Sequence, residues 1–172
     1  KRIVSDYDEL KKDSVEKIAY LSEKLYIDPM TGLLNKAALT RDVNEYKYPK
    51  VILMDIDDFG KMNDYYGKYV CDQILKQMAN LIKEFAKNEN MKAYCIEADR
   101  FALVEDSDSF IDRYEDMVED LIEIFKGRML SIVDEDGREI EGIEIHSTIG
   151  FALDSDQTLR KATIALKTAK EQ

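Results

Sequence analysis

Four apolar residues, Val51-Ile52-Leu53-Met54, run directly into Asp55-Ile56-Asp57-Asp58, and that junction constrains the fold more than any other stretch. An aliphatic, partly β-branched run this compact reads as a buried strand, and it is far too short to span a bilayer. The acids then fall at the strand's carboxyl end, beside a turn. Carboxylates grouped there offer hard oxygen ligands of the kind Mg2+ takes, usually one or two together with substrate phosphates. A strand that ends in solvated acids carries the same residues, so this segment alone leaves both readings open.

Residues 2–26 lack Gly and Pro and place Val15, Ile18, Leu21 and Leu25 at three- and four-residue steps. This is an amphipathic helix whose stripe thins upstream to Tyr7 and Leu10. It is either a coiled-coil connector or a helix folded onto its own core, and the heptads are too few to decide. The chain divides accordingly into a connector helix at 1–26 and a domain at 27–172. Asp28-Pro29 breaks the helix, Thr31-Gly32 marks a turn, and a short helix follows at 35–46. From Tyr69 to Phe85, apolar residues at 70, 74, 75, 78, 81, 82 and 85 trace one helical face.

Short strands are expected at 92–97 and 100–105, meeting at Glu97 to Arg100. Ser107 or Asp108 is expected to cap the next helix. Its apolar face is Phe110, Ile111, Tyr114, Met117, Val118, Leu121, Ile122 and Phe125, and Gly127 ends it. Further strands are expected at Leu130–Val133 and Ile143–Leu153, with Asp136-Gly137 reversing the chain between them. In the latter strand Ile143, Ile145, Ile149, Phe151 and Leu153 share one face, and a last helix runs from Thr158 to the end. Hairpin-linked strands interrupt the alternation of strands and helices. An α+β domain, with helices packed on a mixed or antiparallel sheet, follows more naturally than a doubly wound one.

The chain carries 36 acidic against 25 basic side chains, a net charge of −11. That balance argues against a nucleic-acid binder, whose affinity comes largely from Lys and Arg displacing counterions. It leaves room for a single nucleotide held by a few placed groups and a metal. Cys71 and Cys95 sit in apolar segments without metal-ligand spacing and read as a reduced, cytosolic pair of buried thiols. No signal peptide or membrane segment is visible. The chain starts without Met and stops within a helical pattern, which reads as a piece of a longer protein with any sensor or membrane segment outside it.

Two further constellations bear on chemistry. Asn63 and Asp72 flank Gly67; an amide and a carboxylate together can read a guanine edge, the carboxylate accepting from the ring N–H and the amino group. A helix cap and a solvated acid are the alternative. The turn Glu97-Ala98-Asp99-Arg100 is, by itself, a charged hairpin.

In this order, these elements resemble the GGDEF family of diguanylate cyclases, over Tyr26 to Lys170. Asp28-Pro29-Met30-Thr31-Gly32-Leu33-Leu34-Asn35 is similar to the family's opening motif, Asp-x-Leu-Thr-Gly-Leu-x-Asn. Asp55 to Asp64, with Gly67 and Asp72 following, is similar to its central Asp-x-Asp-x-Phe-Lys-x-x-Asn-Asp block. Thr148-Ile149-Gly150 and Ala162 to Lys170 resemble its closing strand and helix. The resemblance implies a nucleotide-cyclase, ferredoxin-like palm with a mostly antiparallel sheet of about five strands flanked by helices. It also implies two domains facing each other as a homodimer, each with one GTP, whose 3′-hydroxyl attacks the α-phosphorus of the other and releases pyrophosphate. Mg2+ neutralises charge in such a transfer. By resemblance Asp55, the carbonyl of Ile56 and Asp99 would bind the metal. Asn63 and Asp72 would hold guanine, and Lys170 would reach the terminal phosphates.

The departures concentrate at Glu97-Ala98-Asp99-Arg100-Phe101, the position of the signature. Glu97 and Ala98 replace two glycines that let backbone approach phosphate closely. Arg100 stands where the active family has a Glu that serves metal and hydroxyl activation. At 4 Å a unit charge pair near a surface is worth about 4 kcal/mol, so reversing its sign costs orders of magnitude in rate. Arg100 could instead pair with Asp55 or Asp99 and supply the positive charge that Mg2+ supplies elsewhere; as a strand neighbour facing the opposite way it would be solvated. Gly60 replaces a phosphate-contacting Lys, with neighbouring Lys61 as the candidate substitute, and Thr163 and Lys167 replace an Asp and a Tyr. The family's product-inhibition motif, Arg-x-x-Asp, falls at Asn88 and Met91 and is absent. The expectation is a degenerate, catalytically silent signalling domain that retains a pocket for GTP. It would sit in the cytoplasm beside a sensor or an EAL-type phosphodiesterase domain. A working cyclase with an atypical loop, or a ligand-free dimerisation scaffold, are the alternatives.

Overall fold

A computed structural model describes residues 2–153 and 157–171. The elements run α1 (Arg2–Tyr26), α2 (Lys36–Glu45), β1 (Pro49–Ile56), α3 (Phe59–Asn88), β2 (Lys92–Glu97) and β3 (Arg100–Asp106). They continue with α4 (Ile111–Phe125), β4 (Arg128–Val133), β5 (Glu139–Ile145), β6 (Ser147–Ala152) and α5 (Thr158–Lys170). The central sheet has the order β2-β3-β1-β6, and every pairing in it is antiparallel. Among the described residues it holds four strands, where about five were expected. The nearest thing to a fifth is a single parallel bridge from Leu34 to Tyr94 at the β2 edge. β4 and β5 form a separate two-stranded sheet.

β1 is buried at all eight positions because both faces of the sheet are covered. Strand side chains alternate between faces. Ile52, Met54 and Ile56 therefore enter one core with α3, α4 and the small sheet. Val51 and Leu53 enter a second core with Ala38 and Leu39 of α2 and Ala162 and Leu166 of α5. This two-sided burial explains how an antiparallel strand can read as an unbroken apolar run. Gly150 of β6 lets α5 approach closely: a Cβ there would lie 2.3 Å from the Leu166 backbone nitrogen.

Three expectations need correction. The helix read at Tyr69–Phe85 begins at Phe59, and Gly67 (φ 80°, ψ 167°) kinks it into two legs. The first leg was obscured because its periodicity is weak: Tyr65 is exposed, and Phe59, Met62 and Tyr66 alone touch the core. Ser107 and Asp108 do not cap α4, which starts after Phe110 without a side-chain cap. Ser107 instead bonds Ser109, and Phe110, Ile111 and Ile122 face solvent rather than the core. Finally, Ile143–Leu153 is not one strand. It divides at His146 into β5, paired with β4, and β6, paired with β1, although the five apolar side chains all reach the same core.

The reversal at Asp136-Gly137 stands as expected. Asp134 Oδ1 accepts from the backbone N–H groups of Asp136 and Arg138, and Gly137 takes φ 78°. α1 has no buried residue, so it is not folded onto the core of its own chain. Only its end is tied down: the Asn35 amide donates to Leu25 O (2.8 Å), and the Arg41 guanidinium lies 4.2 Å from the centre of the Tyr26 ring. Among the described residues no helix is long and apolar enough to cross a membrane. Cys71 and Cys95 are free and buried, and burial pushes the Cys95 thiol up to about 11.

Candidate functional site

The alternation that sends Val51 and Leu53 toward α2 and α5 sends Asp55 the same way, and only 5% of its side chain is exposed. A carboxylate so placed needs partners, because burying an unpaired charge is costly. Register provides the first. Asp55 lies directly opposite Arg100 in the β1–β3 ladder, and directly opposed residues share a face. The Arg100 Nη2 is 3.2 Å from Asp55 Oδ2. The second partner comes from the last turn of α5, where Lys170 Nζ lies 2.6 Å from the same oxygen. Arg100 thus pairs with Asp55 and is not the solvated residue of the alternative reading.

The turn that carries Arg100 is a tight one over Ala98 and Asp99, with a register shift between Cys95 and Glu97. Among the described residues the positive-φ positions do not include Glu97, Ala98 or Asp99. The replaced glycines therefore leave no backbone strain behind. The Asp99 carbonyl accepts from Ile56 N (3.1 Å), joining the turn to the end of β1. Burial, and then the charge of Asp55, push the Asp99 carboxyl above its ordinary value. Glu97 lies outside, 3.6 Å from Lys36 and 4.0 Å from Arg100, in exposed pairs that stabilise little.

The model of the family described as "Diguanylate cyclase, GGDEF domain" matches residues 25–172. This chain belongs to the GGDEF family. Among curated relatives it is 28% identical over 93 residues to the diguanylate cyclase VdcA of Vibrio cholerae, a match covering 52% of this chain and 27% of VdcA. It is 33% identical over 84 residues to the diguanylate cyclase DgcN of Escherichia coli, covering 45% of this chain and 20% of DgcN. The chain thus spans about a quarter of the length of these relatives. A solved diguanylate cyclase/phosphodiesterase from Caldicellulosiruptor saccharolyticus is 27% identical, with a TM-score of 0.68 over 88% of this chain and 90% of that one. The coiled coil and GGDEF domain of DgcB from Caulobacter crescentus, solved with c-di-GMP, shares the fold at a TM-score of 0.82 and 19% identity, over 98% of this chain and 92% of that one.

In this GGDEF domain the residues expected at the site fall into two groups. Asp55, Arg100 and Lys170 converge, with Asp99 close enough for its charge to be felt by them. Asn63 lies on the first leg of α3 and Asp72 on the second, on either side of the Gly67 kink. Neither side chain has a hydrogen-bond or ion-pair partner among the described residues, so their polar atoms are unspent. Lys61 is not directed at this cluster but pairs with Asp58 (2.7 Å) on the surface. Of the other strand-end acids, Asp57 accepts from the Thr148 hydroxyl (2.7 Å), a contact to β6 that spacing alone did not suggest.

GGDEF cyclases generally use Mg2+, and the residues here fit it poorly. Both cations of the cluster already sit on Asp55 Oδ2. A magnesium ion seeks that oxygen as a ligand, and like charges this close repel strongly.

One polar centre escaped the sequence reading. Asp42 on α2 is 3% exposed and takes contacts from Arg41 Nη2 (2.8 Å), Lys92 Nζ (3.2 Å) and the Tyr94 hydroxyl (2.6 Å). The signal was present in α2. Ala38, Leu39, Asp42 and Val43 fall on one face, so the acid lies inside the apolar stripe.

Proposed function

We propose that this GGDEF domain is a regulatory module of cyclic di-GMP signalling that binds GTP and does not convert it. The observation that carries the reading is the Arg100–Asp55 pair: a guanidinium occupies the position at which the active family has its Glu, and it holds the metal-binding Asp. A cyclase needs divalent charge and an activated 3′-hydroxyl there. A cation already bound to Asp55 opposes both. The unspent polar groups of Asn63 and Asp72 support retention of guanine recognition. The exposed stripe of α1 supports a connector that transmits an upstream signal or joins two copies. The likeness to a diguanylate cyclase/phosphodiesterase supports a setting beside an EAL-type phosphodiesterase domain.

The test is incubation with GTP and Mg2+ followed by chromatography, alongside calorimetric titration with GTP. The expected result is a saturable GTP isotherm, lost in Asn63→Ala, with no cyclic di-GMP. Product beyond one equivalent of protein overturns the silent reading, and a flat titration at millimolar GTP leaves a scaffold.

A further inference from the structure

We infer that Arg100 is a built-in counter-charge at Asp55, so that the phosphates of a guanine nucleotide are bound here without magnesium. The inference rests on the proposal that the domain binds GTP. It starts from charge. Exchanging a carboxylate for a guanidinium at position 100 adds two positive charges, the charge of one magnesium ion. With Arg100 and Lys170 set against Asp55 and Asp99, the cluster is neutral by its own side chains. With a Glu at position 100 the same cluster would carry a surplus of two negative charges and would require a divalent ion before a polyphosphate could approach.

Geometry agrees with the charge. Arg100 faces Asp55 through backbone register, so a rigid ladder delivers the cation rather than a mobile loop. Its hydrogen bond to Asp55 uses Nη2. The Nε–H is buried and beyond a ligand's reach, whereas Nη1 has, among the described residues, only the 4.0 Å approach to Glu97. The guanidinium therefore keeps N–H donors in reserve, in the fork geometry that suits phosphate oxygens. Lys170 adds a second donor from α5. Magnesium would have to displace these cations from Asp55, whereas a phosphate needs only to share them.

The experiment titrates GTP into the whole chain by calorimetry, once with millimolar magnesium chloride and once with excess EDTA. Where magnesium and GTP are coupled, each changes the other's affinity by the same factor, typically about 5- to 150-fold, and ligands without coupling do not. The dissociation constant is expected to be no tighter with magnesium than with EDTA, because magnesium also chelates GTP in solution and the site gains nothing from it. In Arg100→Glu, magnesium should tighten GTP by about tenfold or more. Arg100→Gln, which keeps a polar side chain and drops the charge, should respond in between and serves if the first variant does not fold. A tenfold gain with magnesium in the unaltered chain overturns the inference, as does a variant series indifferent to magnesium. Thermal unfolding with and without magnesium chloride, in the absence of nucleotide, separates the two proposals. If no GTP binds, the ligand in the functional reading fails. Magnesium stabilising only Arg100→Glu then still supports the counter-charge, and magnesium stabilising the unaltered chain equally overturns it.

Discussion

Two buried carboxylates, Asp42 and Asp55, lie on the same side of the sheet and are equally hidden, at 3% and 4% exposure. Each is held by cations, but in different ways. At Asp42 both oxygens are used: Arg41 on Oδ1, and Lys92 with the neutral Tyr94 hydroxyl on Oδ2. Burial pushes the Asp42 carboxyl up, yet the hydrogen bonds from Arg41, Tyr94 and Lys92 together hold it below its ordinary value. At Asp55 both cations sit on the single oxygen Oδ2, Arg100 Nε has no partner, and Asp99 adds a like charge nearby. The first centre is satisfied from within and fastens α2 to β2. The second is lopsided, with donors in reserve, as a site that still has something to bind would be.

Removing the acid at each centre tests that contrast. Asp42→Ala leaves Arg41 and Lys92, 36% and 51% exposed, free to turn to water but strands the wholly buried Tyr94 hydroxyl, and an unsatisfied buried donor costs about 2 kcal/mol. For a domain of this size that is a fall of about 4–8 °C in Tm, read by thermal unfolding. Asp55→Asn should cost less, about 1 kcal/mol, because its partners Arg100 and Lys170, 31% and 36% exposed, can turn to water and no buried hydroxyl depends on it. Equal losses at the two positions would break the distinction between a fastener and a site.

The same contrast explains what could be read in advance. Asp55 announced itself because it follows an apolar run, and Arg100 because it departs from a family pattern. Their contact was not legible, since it depends on the β1–β3 register, which pairs residues 45 positions apart. Periodicity located α2, β2, β3 and α4 well because each buries one face. It missed the first leg of α3, whose polar turn buries little, and it fused β5 with β6, because five apolar residues in step look alike whether or not the chain changes sheets at His146. Asp42 was hidden for a related reason: an acid on an apolar face reads as an interruption until the Lys and Tyr that meet it from β2 are in place.

The smallest effect separates the neutral partner of Asp42 from its charged ones. Tyr94→Phe deletes one hydrogen bond to the carboxylate and leaves Arg41 and Lys92, a loss of about 1 kcal/mol at neutral pH. The pH dependence is more telling than the loss. A carboxyl held below its ordinary value contributes stability that is complete above its unfolded pKa and disappears as pH falls through the folded one. The Tyr94 bond is one of those that lower Asp42. Without it the folded value rises toward the unfolded one, so both proteins begin to lose Tm at the same pH on acidification, but Tyr94→Phe has less to lose and levels off at a higher pH. The Tm gap between the two proteins should then close at pH values below the ordinary carboxylate range, where Asp42 is protonated in both. Curves of Tm against pH that stay parallel throughout would mean that Tyr94 contributes packing alone and that the two cations by themselves keep Asp42 ionised.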